Sequence, residues 1–147
     1  MIEAEPFFTL ISASFDGGLM VSVERLADGS FSIREARYDQ QAGKAELLDF
    51  RPEDYPKRKP YASQVFDLSG GGKIPDWLSR VRESGQPLWT ESRTIRSGSQ
   101  AVPGITYAAP VYDQDQKLVC VTTVNFDITA ISTFLHSNSV GRDGFAF

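Results

Sequence analysis

The stretch from Gly85 to Leu135, GQPLWTESRTIRSGSQAVPGITYAAPVYDQDQKLVCVTTVNFDITAISTFL, constrains the fold more than any other part of the chain. Leu88 to Ile95 is β-prone and carries Trp89, and Ile105 to Tyr112 is a second run of the same kind. Asp113-Gln114-Asp115-Gln116 is a tight polar turn, and the β-branched run Leu118 to Phe126 stops just before Asp127. Thr129 to Leu135 then places Ile131, Phe134 and Leu135 at helical spacing. Strands joined by such short turns pair antiparallel, and a helix that follows them must bury its apolar stripe on the sheet.

The first half carries the same punctuation. Phe7 to Ser14 is apolar and β-prone, Asp16-Gly17-Gly18 is a turn, and Leu19 to Arg25 alternates weakly. Ala27-Asp28-Gly29-Ser30 predicts a hairpin closed by a type I′ turn, with Phe31 to Ala36 pairing back. Lys44 to Phe50 is a further short strand. Arg51 to Pro60 is a proline-rich loop with Arg51, Lys57, Arg58 and Lys59 against Glu53 and Asp54. It is either solvated or a contact for an acidic ligand. Ser69 to Lys73 is glycine-rich, but Ile74 follows the lysine where a phosphate loop needs Ser or Thr. Pro75 opens a helix that runs to Ser84 with Gly85 just past its end, and Trp77, Leu78 and Val81 share its apolar face. The expected fold is α+β, an antiparallel sheet flanked by helices in a single domain over residues 1–147.

Composition removes several functions. The chain has 147 residues, 41% of them hydrophobic and 23% charged, which suits one globular domain with a core. A formal net charge of −4 argues against a general nucleic-acid binder, which needs a basic face to displace counterions. One cysteine, Cys120, excludes an internal disulfide and a cysteine-rich zinc site. Cys120 lies in the run Leu118-Val119-Cys120-Val121, which suits a small buried side chain. His136, the one histidine, falls near a helix end, where it complements the dipole. No carboxylate pair, Gly-X-Ser-X-Gly elbow or ligand cluster points to catalysis, a metal or a cofactor. No run approaches the roughly 20 apolar residues of a spanning helix.

Four residues are candidates for a ligand site: Trp77, Trp89, Tyr107 and Asp127. The aromatics offer apolar area with one hydrogen-bond donor each, and two indoles can wall a pocket. Asp127 can accept hydrogen bonds from an ammonium or a hydroxyl. Each has an alternative. The aromatics are equally suited to core packing, and Asp127 before Ile128-Thr129-Ala130 is placed to cap a helix.

From Pro75 to Phe147 the chain resembles the distal half of a double Cache sensor domain, a PAS-like module of bacterial receptors. The resemblance rests on Gly85-Gln86-Pro87-Leu88-Trp89-Thr90, on Gly104 to Asp113, on Phe126-Asp127 and on Ile131-Ser132-Thr133-Phe134-Leu135. Gly141 to Phe145 is similar to the connection entering a second subdomain, so the chain reads as part of a longer receptor. Amino-acid-sensing members carry Arg-x-Trp-Tyr on the helix, where Pro75-Asp76-Trp77-Leu78 stands here. Cys120 stands where a glycine is usual.

The resemblance implies a non-catalytic, extracytoplasmic domain that senses a small molecule for an inner-membrane signalling protein. Sensors attached to nucleotide cyclases are the most similar, with histidine kinases and chemoreceptors next. It implies a small-molecule ligand, no nucleic acid, and a parent anchored in the membrane; a homodimer is compatible with it. The alternative is a ligandless structural or dimerisation module of such a receptor, its pocket filled by its own side chains.

Overall fold

Short β-prone runs separated by Gly- and Asp-bearing turns build one antiparallel sheet. The computed structural model describes residues 8–39, 41–67, 76–97 and 100–137. Five strands come first: β1 (Phe8–Phe15), β2 (Leu19–Arg25), β3 (Phe31–Asp39), β4 (Lys44–Phe50) and β5 (Ala62–Asp67). Helix α1 (Asp76–Ser84) follows. The chain then runs through β6 (Leu88–Trp89), β7 (Arg93–Ser97), β8 (Gln100–Tyr112), β9 (Leu118–Asp127) and helix α2 (Ile128–Ser137). The strand order is β5-β4-β3-β2-β1-β9-β8-β6, with β7 also on β8. β1 is therefore central, flanked by β2 and by β9, the last strand described. That pairing joins the two halves of the chain into one sheet.

The structure corrects the sequence expectations in four places. The Ala27 to Ser30 turn is not type I′. Gly29 alone has a positive φ (82°), and Gly29 N–H donates to Leu26 O at 3.0 Å while Leu26 N–H donates to Ser30 O at 2.8 Å. That is a type I turn with a glycine bulge, in which only one residue needs the left-handed region. Leu88 to Ile95 is not one strand. Leu88↔Ala108 and Arg93↔Gly104 differ in register by one residue, so a bulge at Thr90 separates β6 from β7. Thr90 Oγ1 accepts the Thr106 N–H at 3.0 Å, replacing the ladder bond that the bulge breaks. The strand expected from Ile105 begins at Gln100. β5 was not expected at all. It is an edge strand, exposed at five of its six positions, so no alternation marks it.

The helix expected to open at Pro75 is described from Asp76, and Pro75 lies outside the described residues, as do Ser69 to Lys73 and Gly141 to Phe147. Gly85 ends the helix at φ 66°, its N–H on Val81 O at 2.9 Å. Leu78 and Val81 are buried on Ala108 and Val121, with Trp77 and Leu88 packed around them. This cluster docks α1 on one face of the sheet, the helix face.

Strand register sorts every side chain to one of two faces. One row across the helix face reads Ala108, Thr123, Ser12, Ser22, Arg34, Asp49. Beyond Ala108 it is polar, and four of its members pair off. Ser12 and Thr123 hydroxyls lie 2.6 Å apart, and Arg34 Nε donates to Asp49 Oδ1 at 2.6 Å. Burial is tolerated there because these groups hold each other. The opposite face carries Phe50 and Glu35, covered by the Arg51 to Pro60 loop. Tyr55 packs edge-on to Phe50 at 5.2 Å, and Arg58 grips Glu35 through two hydrogen bonds of 2.5 and 2.8 Å.

Candidate functional site

The β1–β2 turn, the β3–β4 hairpin and α1 border a half-open cavity of about 780 Å³ at one end of the sheet. Ser14, Met20 and Tyr38 reach it from the helix face, and Trp77, Leu78 and Arg82 from α1. Phe15, Leu19 and Val65 add apolar wall, and Arg37, Asp39, Lys44 and Glu46 stand around it. The volume falls within the range of small-molecule sites, about 300–1,000 Å³.

Local geometry explains why the cavity is there. The Asp16–Gly18 turn is 3-10 in form, with Gly17 and Gly18 at φ 79° and 83°. A side chain on Gly18 would collide with the Tyr38 carbonyl, so only glycine lets this turn lie against β3. The close approach brings Tyr38 beside the turn. Burial pushes the Tyr38 phenol above its usual range. Arg82 is held at the same turn. Its Nη2 donates to Phe15 O at 3.0 Å and lies 3.5 Å from Asp16.

The four sequence-expected site residues do not meet in this cavity. Trp77 lines it, half-buried, with the Arg93 guanidinium 6.0 Å from its ring centroid. Trp89 and Tyr107 are cross-strand neighbours with ring centroids 4.9 Å apart, and Phe126 sits 5.4 Å from Trp89. They occupy the face away from α1, because Leu88, one residue earlier, is the one that packs under the helix. The expected indole pair is therefore split between two faces. Asp127 caps α2: its Oδ1 accepts the N–H of Thr129 at 2.8 Å and of Ala130 at 3.1 Å.

Met20, Tyr38 and Arg82 were missed. The sequence signal at Met20 is a weak alternation, Tyr38 lies two residues past the expected end of its strand, and Arg82 looks like a solvated helix residue. Other expectations resolve differently. Arg58 in the basic loop is committed to Glu35, and Lys57 lies 3.4 Å from Asp54. Burial pushes the Cys120 thiol up, which disfavours the thiolate a nucleophile needs. Among the described residues no group of three or more His, Cys, Asp or Glu could hold a metal ion. No described helix is long and apolar enough to cross a membrane.

No family model matches the chain, and no curated protein matches it. Among solved structures it is similar to one titled "Methyl-accepting Chemotaxis protein X", at 12% identity and a TM-score of 0.48. That likeness covers 89% of this chain and 43% of the other, so the chain spans less than half of that protein's length. At that identity and score the likeness carries no inference.

Proposed function

We propose that the chain is a small-molecule-sensing domain of a signalling receptor, with the ligand held between α1 and the sheet. One observation carries this reading: a cavity of ligand size, about 780 Å³, walled by Met20, Tyr38, Trp77 and Leu78 with a few polar groups around it. The resemblance of the second half to Cache sensors supports it, since the motif segments form α1, β6, β8, β9 and α2. On this reading the domain is PAS-like, extracytoplasmic and part of an inner-membrane protein with a cyclase or kinase output. Trp77 is the one residue of the expected set assigned to the ligand.

The mechanism follows from what joins the walls. α1 docks on β8 and β9 through Leu78 and Val81, and α2 continues directly from β9. A ligand that bridges α1 and the β1–β2 turn favours the packing in which α1 is held closest to the sheet. It shifts the population toward that packing in proportion to its preference for it. β9 and α2 carry the change away from the cavity.

A thermal-shift screen against amino acids, organic acids, amines, nucleobases and sugars tests the reading. A ligand at about 100 times its dissociation constant adds about 2.7 kcal/mol. For a domain of this size that raises Tm by roughly 5–10 °C. Binding must also change Trp77 emission in a Trp89→Phe protein, where Trp77 is the single indole. A screen without a hit favours the ligandless structural module instead.

A further inference from the structure

The two edges of the sheet are built differently. One is formed by β6 and β7, both paired with β8. β6 is two residues long, a bulge at Thr90 separates it from β7, and β7 carries Arg93 and Arg96. Short strands, bulges and charges are devices that keep a sheet edge from pairing with another chain. The other edge, β5, lacks them along its body. It keeps unbroken register with β4 from Asp49↔Ala62 to Lys44↔Asp67. Ala62 to Phe66 holds no charge and no proline.

Among the described residues β4 is the one strand that β5 pairs with. In an antiparallel ladder every second residue turns its N–H and C=O away from its neighbour. Ala62 to Phe66 therefore has ladder positions that β4 does not fill. The side chains beside them are apolar and in solvent: Val65 is 66% exposed, Tyr61 54% and Phe66 45%. Charge at the two ends of the strand selects the partner. Lys59 stands just before β5 and Asp67 closes it. Asp54 and Glu35 already take up the neighbouring Lys57 and Arg58. Two β5 strands paired antiparallel set the Lys59 end of each beside the Asp67 end of the other, whereas parallel pairing sets like charge beside like.

We propose that β5 is a dimerisation edge, which pairs antiparallel with β5 of a second copy of this chain about a two-fold axis. The two sheets then continue into one, and Tyr61, Val65 and Phe66 of the two copies meet beside the axis. Growth stops at two copies, because the dimer ends on both sides in the short, bulged and charged β6–β7 edge. The pairing does not depend on whether the cavity binds a ligand.

Sedimentation velocity of the whole chain, from about 1 μM to about 1 mM, tests it. A monomer–dimer equilibrium with no larger species is expected. Hydrogen exchange of the native protein is expected to show β5 amides slowing as concentration rises, with β6 and β7 amides unchanged. Ser63 and Gln64 are exposed at the middle of the strand. The double variant Ser63→Lys/Gln64→Lys brings lysines together across the axis and is expected to raise the dimer dissociation constant at least about tenfold. A chain that stays monomeric over the whole range overturns the proposal and leaves the edge to an extended segment of another protein. A dimer whose β5 amides do not slow, or whose strength the lysines leave unchanged, places the interface elsewhere. Growth beyond two copies overturns the closed two-fold pairing. Exchange on the native chain decides the interface even if the lysine variant fails to fold.

Discussion

Glu35 is held by charge from two arginines, Arg58 and Arg37. Its carboxylate accepts from Arg58 and, at 2.9 Å, from the Tyr55 hydroxyl, and these bonds hold its pKa down at about 2. A folded value below the ordinary carboxyl value of about 4.3 means the stabilisation is fully present above the latter. It fades as pH falls from about 5 toward about 2. Circular-dichroism melts across that window should show Tm dropping in the native protein and dropping less in Glu35→Gln. At neutral pH Glu35→Gln should lower Tm, since it takes the anion from Arg58 and the acceptor from the Tyr55 hydroxyl. Equal acid slopes for the two proteins would contradict this. Gln116 offers the opposite case. It sits at φ 60° in the β8–β9 turn, with its N–H on Asp113 O at 3.2 Å, where a glycine would be unstrained. Gln116→Gly should therefore stabilise by about 0.5–1 kcal/mol in urea unfolding.

At the scale of elements, α2 depends on its first turn. Asp127→Ala removes the acceptor of two backbone N–H groups and should cost about 1 kcal/mol, with Asp127→Asn close to neutral. Neither change should alter the affinity of a ligand in the cavity, which Asp127 does not line. A loss of affinity at unchanged helicity would return Asp127 to the binding site. The β7–β8 ribbon depends on Gly104 in another way. A side chain there would collide with Ile95 and with the Phe126 carbonyl, so Gly104→Ala should destabilise by about 1–3 kcal/mol in the same unfolding assay. The Trp89–Tyr107–Phe126 cluster is a cross-strand staple on the face away from α1, and Trp89 itself is 57% exposed.

For the molecule as a whole, α1 is both a wall of the cavity and a lid on the core. Val81 is fully buried under it, beside Leu78, Ala108 and Val121. Val81→Ala should cost about 2 kcal/mol and loosen the helix on the sheet. Because the same helix presents Trp77, Leu78 and Arg82, ligand affinity should fall together with stability. Isothermal titration beside a melt would show whether the two move as one. If stability falls and affinity holds, the helix does not transmit strain to the site.

Much of the fold was legible because it is local. The turns at Asp16, Asp28 and Asp113, the bounds of β2 and β4, and the apolar face of α1 all follow from side-chain alternation and turn chemistry within a few residues. The capping role open to Asp127 was equally local. What the sequence could not show depends on contacts between distant segments. β5 carries no pattern because an edge strand is held by its neighbour's backbone, not by its own side chains. The bulge at Thr90 is imposed by pairing with Thr106 sixteen positions away. Trp77 and Trp89 look alike in sequence, yet the parity of one strand sends them to opposite faces. The cavity is the extreme case. Its walls come from the β1–β2 turn, the β3–β4 hairpin and α1, and no local rule relates Met20 and Tyr38 to Arg82. The amino-acid sequence alone determined an antiparallel α+β sheet with helices. Only tertiary packing decided which face the helix covers, and so which side chains share a site, because that choice depends on strand register summed across the whole sheet.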